Sequence, residues 1–216
     1  MFDERFSKFY HLMKPAIRNM KSLIIWLITA VGVGLVVGGL GTLFYHARAF
    51  ATKFRTENVW ITFLLPVGGL MIVFMYQHFG GKDNTGTNLV LKAIQSGQHI
   101  PFQVAPLIFI ATVITHLFGG SAGREGAALQ LGGIIGEFIG RRIGVDDDDI
   151  HIRIMCGMSA CFAAVFGTPM AAAVFSMEVI SIGIMHYAAL IPCVFAAFTA
   201  SMLAMKFGAT PEHFPV

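Results

Sequence analysis

Between two apolar stretches the chain carries Gly119-Gly120-Ser121-Ala122-Gly123-Arg124-Glu125-Gly126-Ala127-Ala128-Leu129-Gln130, an adjacent base and acid wrapped in glycines. Ionisable side chains at bilayer depth cost several kcal/mol unless a partner or a watery cavity receives them, which makes such a Glu a functional candidate. The glycines permit an irregular backbone that ends one helix and starts another. At that depth irregular backbone survives only where it is buried in protein or lines a cavity. A helix beginning here aims its free N–H groups and positive dipole end at that cavity, which holds an anion without a formal positive charge.

Composition puts the rest of the chain in the same setting. Hydrophobic residues make up 56% and charged residues 12% of the 216, against about 25% charged in an average soluble domain. A soluble fold of this length has no place to hide that much apolar surface. The expected fold is an all-α polytopic membrane protein with room for about five to seven hydrophobic segments. The 24 glycines fit membrane helices that pack closely. Cys156, Cys161 and Cys193 lie in apolar stretches without metal-ligand spacing and read as small packing residues. The net charge of +3 gives no argument for nucleic acid.

Residues 1–21 form a basic amphipathic opening suited to the membrane surface. The apolar run 22–45 is too long for a cleaved leader and reads as a first span. Positive charge ahead of it favours a cytoplasmic N-terminus, although Arg48, Lys53 and Arg55 beyond it dilute the signal. Residues 58–79 are a second span, kinked or tilted around Pro66-Val67-Gly68-Gly69. A polar break at 80–88 leads into the short apolar segment 89–95, which reads as a re-entrant half-helix. Residues 101–118 are a third apolar segment, ending at His116, an interfacial or internally bonded histidine.

Gly132, Gly136 and Gly140 recur every fourth residue, the small face of a tightly packed helix that ends at Arg141-Arg142. Gly34 and Gly38, and Gly157, Ala160 and Ala164, form similar faces. Asp146 to Asp149 with His151 resemble a metal cluster but read better as carboxylates at the start of the next helix. Phe166-Gly167-Thr168-Pro169 breaks the chain again, with Pro169 fit for a first helical turn. A small-residue helix then runs to Glu178, a structural acid, and residues 187–207 form a last span. Trp26, Trp60, Tyr10, Tyr45 and Tyr76 read as belt and packing residues. Three interrupted helix starts, at Thr85, Glu125 and Thr168, suggest broken helices that meet near the bilayer midplane.

Gly123-Arg124-Glu125-Gly126, followed by Phe166-Gly167-Thr168-Pro169-Met170-Ala171-Ala172, resembles the CLC family of chloride channels and proton/anion antiporters. The family writes its first motif Gly-Lys/Arg-Glu-Gly-Pro, and its Glu is an external gate that competes with anions and carries protons. Glu125 stands there, with Ala127 in place of the Pro. The family's Phe-Asn-Ala-Pro stretch is matched by Phe166 and Pro169. Its Gly-Ser-Gly-Ile-Pro anion loop falls on Asn84-Thr85-Gly86-Thr87-Asn88, with Thr85 at the central Ser position.

The resemblance implies transport of a small inorganic anion, chloride or fluoride, rather than an enzyme, and needs no cofactor or metal. Thr85, Gly86, Gly123, Arg124, Gly126, Ala127, Gly167 and Thr168 are the implied anion-binding residues, with Glu125 as gate and proton carrier. Val179 stands where family antiporters place a second Glu, so passive conduction and a variant proton-coupled exchange both remain. The match runs from about residue 22 to 207 and covers the N-terminal half of the family fold, with 208–216 as the start of a linker. The chain is then a piece of a longer protein, or two chains complete the pathway; the family also implies homodimers in the cell membrane, among lipid. A different class, an intramembrane serine hydrolase, rests on Gly157-Met158-Ser159-Ala160 with His186 as base. A non-transporting scaffold would explain the spans and leave Glu125 without a purpose.

Overall fold

The structure, a computed structural model, describes residues 2–79, 99, 101–121, 123–144, 147–179 and 187–209. Among these every regular element is a helix. They are α1 (Phe2–Glu57), a 3-10 turn (Val59–Leu64), α2 (Leu65–Phe79), α3 (Val104–Leu117), α4 (Arg124–Ile143), α5 (Asp147–Phe166), α6 (Pro169–Glu178), a second 3-10 turn (Tyr187–Ala189) and α7 (Leu190–Lys206). Four helical stretches are long and apolar enough to cross a membrane: Ile24–Glu57, Val59–Phe79, Asp149–Phe166 and Tyr187–Lys206.

The helix α5 is the hub, packed against α4, α7, α1 and α6. The reason lies in the small residues. Gly132 and Gly136 of α4 lie against the backbone carbonyls of Gly157 and Arg153, and Gly140 against Ile150 and Arg153, so α4 and α5 run antiparallel. A Cβ on Gly34 or Gly38 would come within 2.7 Å of α7 at Ala196 and Ala200, and one on Gly41 within 2.9 Å of Ala164. These contacts make α1 parallel to both α7 and α5. Without a hydrophobic drive between helices in lipid, backbone approach of this kind is the main source of attraction.

Two expectations change. The span expected at 22–45 and the surface segment expected at 1–21 are parts of one 56-residue helix. Nothing in its interior, neither Pro nor a polar turn, stops it before Asn58, since Pro15 leaves the chain helical. The span expected at 58–79 is one apolar stretch, Val59–Phe79, in which the 3-10 turn gives way to α2 beside Pro66. The proline sits in the first turn of α2, where its missing N–H and fixed φ cost nothing. Trp26 does more than pack: its Nε1 donates to Asp149 Oδ2 at 3.1 Å, and its carbonyl accepts from Arg153 Nη1 at 3.2 Å. Two residues of the first turns of α5 therefore tie it to α1.

Candidate functional site

The glycine break after α3 shapes the site. Phe118 closes α3, Gly119 takes a left-handed turn with φ of 85°, and Gly123 is extended as the residue before α4. Gly123 has no side chain with which to cap that helix start, which leaves first-turn N–H groups for another acceptor. Arg124 and Glu125 are its first two residues. The Glu125 carboxylate turns back over the helix start, so that a Cβ on Gly123 would lie 2.8 Å from Glu125 Oε2. Glu125 itself is exposed, and Gly126 and Ala127 behind it are half-buried.

The second motif forms the facing corner. Gly167, with φ of 71°, donates to the Ala163 carbonyl at 2.8 Å and ends α5. Thr168 then precedes α6, Pro169 fills its first turn, and Ala172 N–H donates to the Thr168 carbonyl at 2.9 Å. This start also lacks a side-chain cap. Arg124 joins the two corners: its guanidinium lies 5.5 Å from the centre of the Phe166 ring, a cation–π contact. Phe166 itself lies against Phe162, with ring centres 4.4 Å apart and planes tilted by 32°. The start of α4 is thus held against the end of α5, three residues before α6 begins.

The other expected residues fall as follows. Thr168 is exposed and Gly167 half-buried beside it. Glu178 is the exposed last residue of α6, with Val179 next to it. Thr85, Gly86 and His186 lie outside the described residues. Ser159 is buried, and its hydroxyl donates to the Cys193 carbonyl at 3.0 Å. It packs α5 on α7, so the hydrolase reading loses its nucleophile. His116 donates from Nδ1 to the Thr112 carbonyl at 2.8 Å, the internally bonded state expected for it.

Two buried charges were not singled out from the sequence. Glu137 of α4 is 1% exposed, and its Oε1 accepts from Arg141 Nε at 2.8 Å and lies 2.9 Å from His99 Nδ1. Arg153 is 2% exposed between α4 and α1. Both carried a signal: Glu137 stands four residues before Arg141, and Asp149 four before Arg153, the spacing of facing pairs on a helix.

Glycine-broken helices, one of them starting at an Arg-Glu pair, in a chain whose described residues include four membrane-length helices, define an all-α membrane protein with a CLC-like fold. The family model described as voltage gated chloride channel matches residues 68–215, and the chain belongs to that family. A chloride/fluoride channel protein of Pseudomonas syringae pv. tomato is 38% identical over 192 residues, covering 88% of this chain and 42% of that protein. A crystal structure of a CLC-type fluoride/proton antiporter aligns with a TM-score of 0.82 at 35% identity, over 88% of this chain and 48% of that one. A slow cyanobacterial Cl-/H+ antiporter shares the fold, with a TM-score of 0.70 at 22% identity and cover of 86% and 47%. The chain spans about half the length of these relatives.

Proposed function

We propose that the chain contributes half of a pathway that carries a small inorganic anion, chloride or fluoride, across the membrane, with Glu125 as its protonatable gate. The observation behind this reading is Glu125 in the first turn of α4, at a helix start with no side-chain cap, held next to the start of α6 by Arg124 on Phe166. Uncapped N–H groups and the dipole end attract an anion, and a carboxylate at the same place competes with it until protonated.

In this reading Gly123, Arg124, Gly126, Ala127, Gly167 and Thr168 line the anion route, with Thr85 and Gly86 completing it, and Glu178 is structural. A second, inverted half supplies the remaining ligands, as one chain or a separate one. The assembly is a homodimer with its N-terminus in the cytoplasm. Relatives named for chloride, fluoride and proton exchange support the choice of cargo. The hydrophobic residue at Val179 supports passive conduction as much as exchange.

The test is flux from liposomes holding the full-length protein, read with chloride and fluoride electrodes, with and without a pH gradient. Glu125→Gln, a fixed stand-in for the protonated gate, is expected to make flux independent of pH. Flux that still needs acid after this change removes the gating role. Wild-type liposomes that release neither anion remove the transport reading altogether.

A further inference from the structure

The helices α1, α3, α4 and α5 leave a groove of about 320 Å³ between them that the anion route does not use. Leu40 and Leu43 of α1, Phe109 and Ile110 of α3, and Leu131 and Ile135 of α4 line it, and Cys161 of α5 closes its floor. Leu131, Ile135 and Cys161 are buried on the inner side, while Leu40, Leu43 and Ile110 are exposed at the mouth. The groove therefore opens sideways between α1 and α3, within the membrane-length stretch Ile24–Glu57.

Every residue that lines it is apolar at the surface it offers. Water finds no hydrogen-bond partner in such a space and stays out of it. Apolar walls without a neighbour forfeit their dispersion contacts, which hydrocarbon restores. At the mouth of a groove that opens sideways from a membrane helix, the hydrocarbon at hand is a lipid acyl chain.

Charge at one end of the groove says which lipid. Phe102, just before α3, lines that end, and its ring meets Phe138 of α4 with centres 4.6 Å apart. The Arg142 guanidinium lies over Phe138, 5.1 Å from its ring centre, on the exposed last turn of α4. Its neighbour Arg141 is turned to Glu137 instead. Charged residues continue from Arg142 to Asp149, where the next membrane-length stretch begins, so this end lies at the headgroup level. From Leu131 to Arg142 the helix rises about 16 Å at 1.5 Å per residue. That is about half of the roughly 30 Å hydrocarbon core, the depth of one leaflet.

We propose that this groove holds an acyl chain of an anionic phospholipid, whose phosphate meets Arg142 at the Phe102–Phe138 edge. The site stands apart from both helix-start motifs and from the identity of the transported anion. An ordinary lipid-facing surface has neither the groove nor the cation at its end, whereas a basic site between membrane helices receives an anionic headgroup. The chain fills the space between α1 and the pair α3 and α4, and so steadies the helix that carries Glu125.

The experiment titrates delipidated full-length protein with phosphatidylglycerol or with phosphatidylcholine of the same acyl chains, and counts retained lipids by native mass spectrometry. Wild-type protein is expected to keep one phosphatidylglycerol more tightly than it keeps phosphatidylcholine. Arg142→Gln is expected to weaken that lipid by about fivefold, the worth of one arginine near an anionic lipid, and to erase the preference. Leu43→Trp, which fills the mouth, is expected to lower retention of both lipids. Leu70→Trp, on the exposed face of α2, is expected to leave it unchanged. Should Leu43→Trp not fold, Arg142→Gln at the exposed helix end carries the test alone. Tight lipid that neither Leu43→Trp nor Arg142→Gln loosens overturns the site and leaves the groove to the complementary half of the fold. Equal loss from Leu43→Trp and Leu70→Trp, or retention without a headgroup preference, overturns it as well. All these readings come from lipid binding, so none of them decides the transport reading, which rests on flux.

Discussion

Gly132 and Gly157 meet backbone to backbone across the α4–α5 seam, each occupying the space in which a Cβ on the other would strike a carbonyl. The α4 start, and with it Glu125, takes its position from this contact.

Gly157→Ala is expected to cost about 1–3 kcal/mol or more, because the seam has no side chain to move aside and must open. Gly32 and Gly69 have nothing within 4 Å of a Cβ. Alanine there is expected to be neutral or to stabilise by up to about 1 kcal/mol through helix propensity. Thermal melting of the full-length protein in detergent separates the two outcomes; equal melting temperatures for Gly157→Ala and Gly32→Ala would contradict the seam.

Glu137 accepts from Arg141 in a nearly closed setting. Glu137→Ala removes hydrogen bonds to charged groups, each worth about 1.5–3 kcal/mol. Arg141 can still reach water, which limits the loss. Glu137→Gln keeps a carbonyl oxygen for Arg141 Nε and is expected to melt closer to wild type. A Glu137→Ala protein as stable as wild type would show the pair to be idle.

Thr85 is tested through binding. If its hydroxyl meets the anion, Thr85→Val weakens binding by about 1.5–3 kcal/mol, the worth of a hydrogen bond to a charged group. Calorimetric titration of the full-length protein with chloride and fluoride reads this. Unchanged affinity for both ions would move the anion loop elsewhere.

The helix starts at Arg124 and Pro169 carry first-turn N–H groups with no side-chain cap. Facing lipid, each unsatisfied group costs several kcal/mol. Residues 1–216 expressed alone are therefore expected to give no selective flux from liposomes, and the complementary half of the fold to restore it. Selective flux from the 216-residue chain as a strict monomer would refute the need for that half.

The sequence made the helical class, the glycine seams and both helix-start motifs legible, because each follows from local rules: apolar length, small residues at every fourth position, and breaks at Gly and Pro. Where α1 ends was not legible. Its apolar run fades near Tyr45, but the helix continues on Arg48, Thr52 and Arg55, which face other parts of the fold rather than open water. The contact of Arg124 with Phe166 joins residues 42 apart in the chain, and nothing local encodes it. Glu137 and Arg153 were overlooked for the opposite reason. Each sits in a helix that reads well without it, and burial of its charge becomes evident only when the neighbouring helices are in place.

The length of α1 has a further consequence, for depth. From Ile24 to Arg48 the helix rises about 36 Å at 1.5 Å per residue, more than the roughly 30 Å hydrocarbon core. An upright α1 therefore carries Arg48 and Arg55 out to the headgroup level, and a tilted one draws them inward. Because α1 is tied to α5 near Trp26 and to α7 at Gly34 and Gly38, it cannot tilt without taking those helices with it. Bilayer thickness thus becomes a control on the tilt of α1, α5 and α7 together, and on how far Arg48 and Arg55 lie from water.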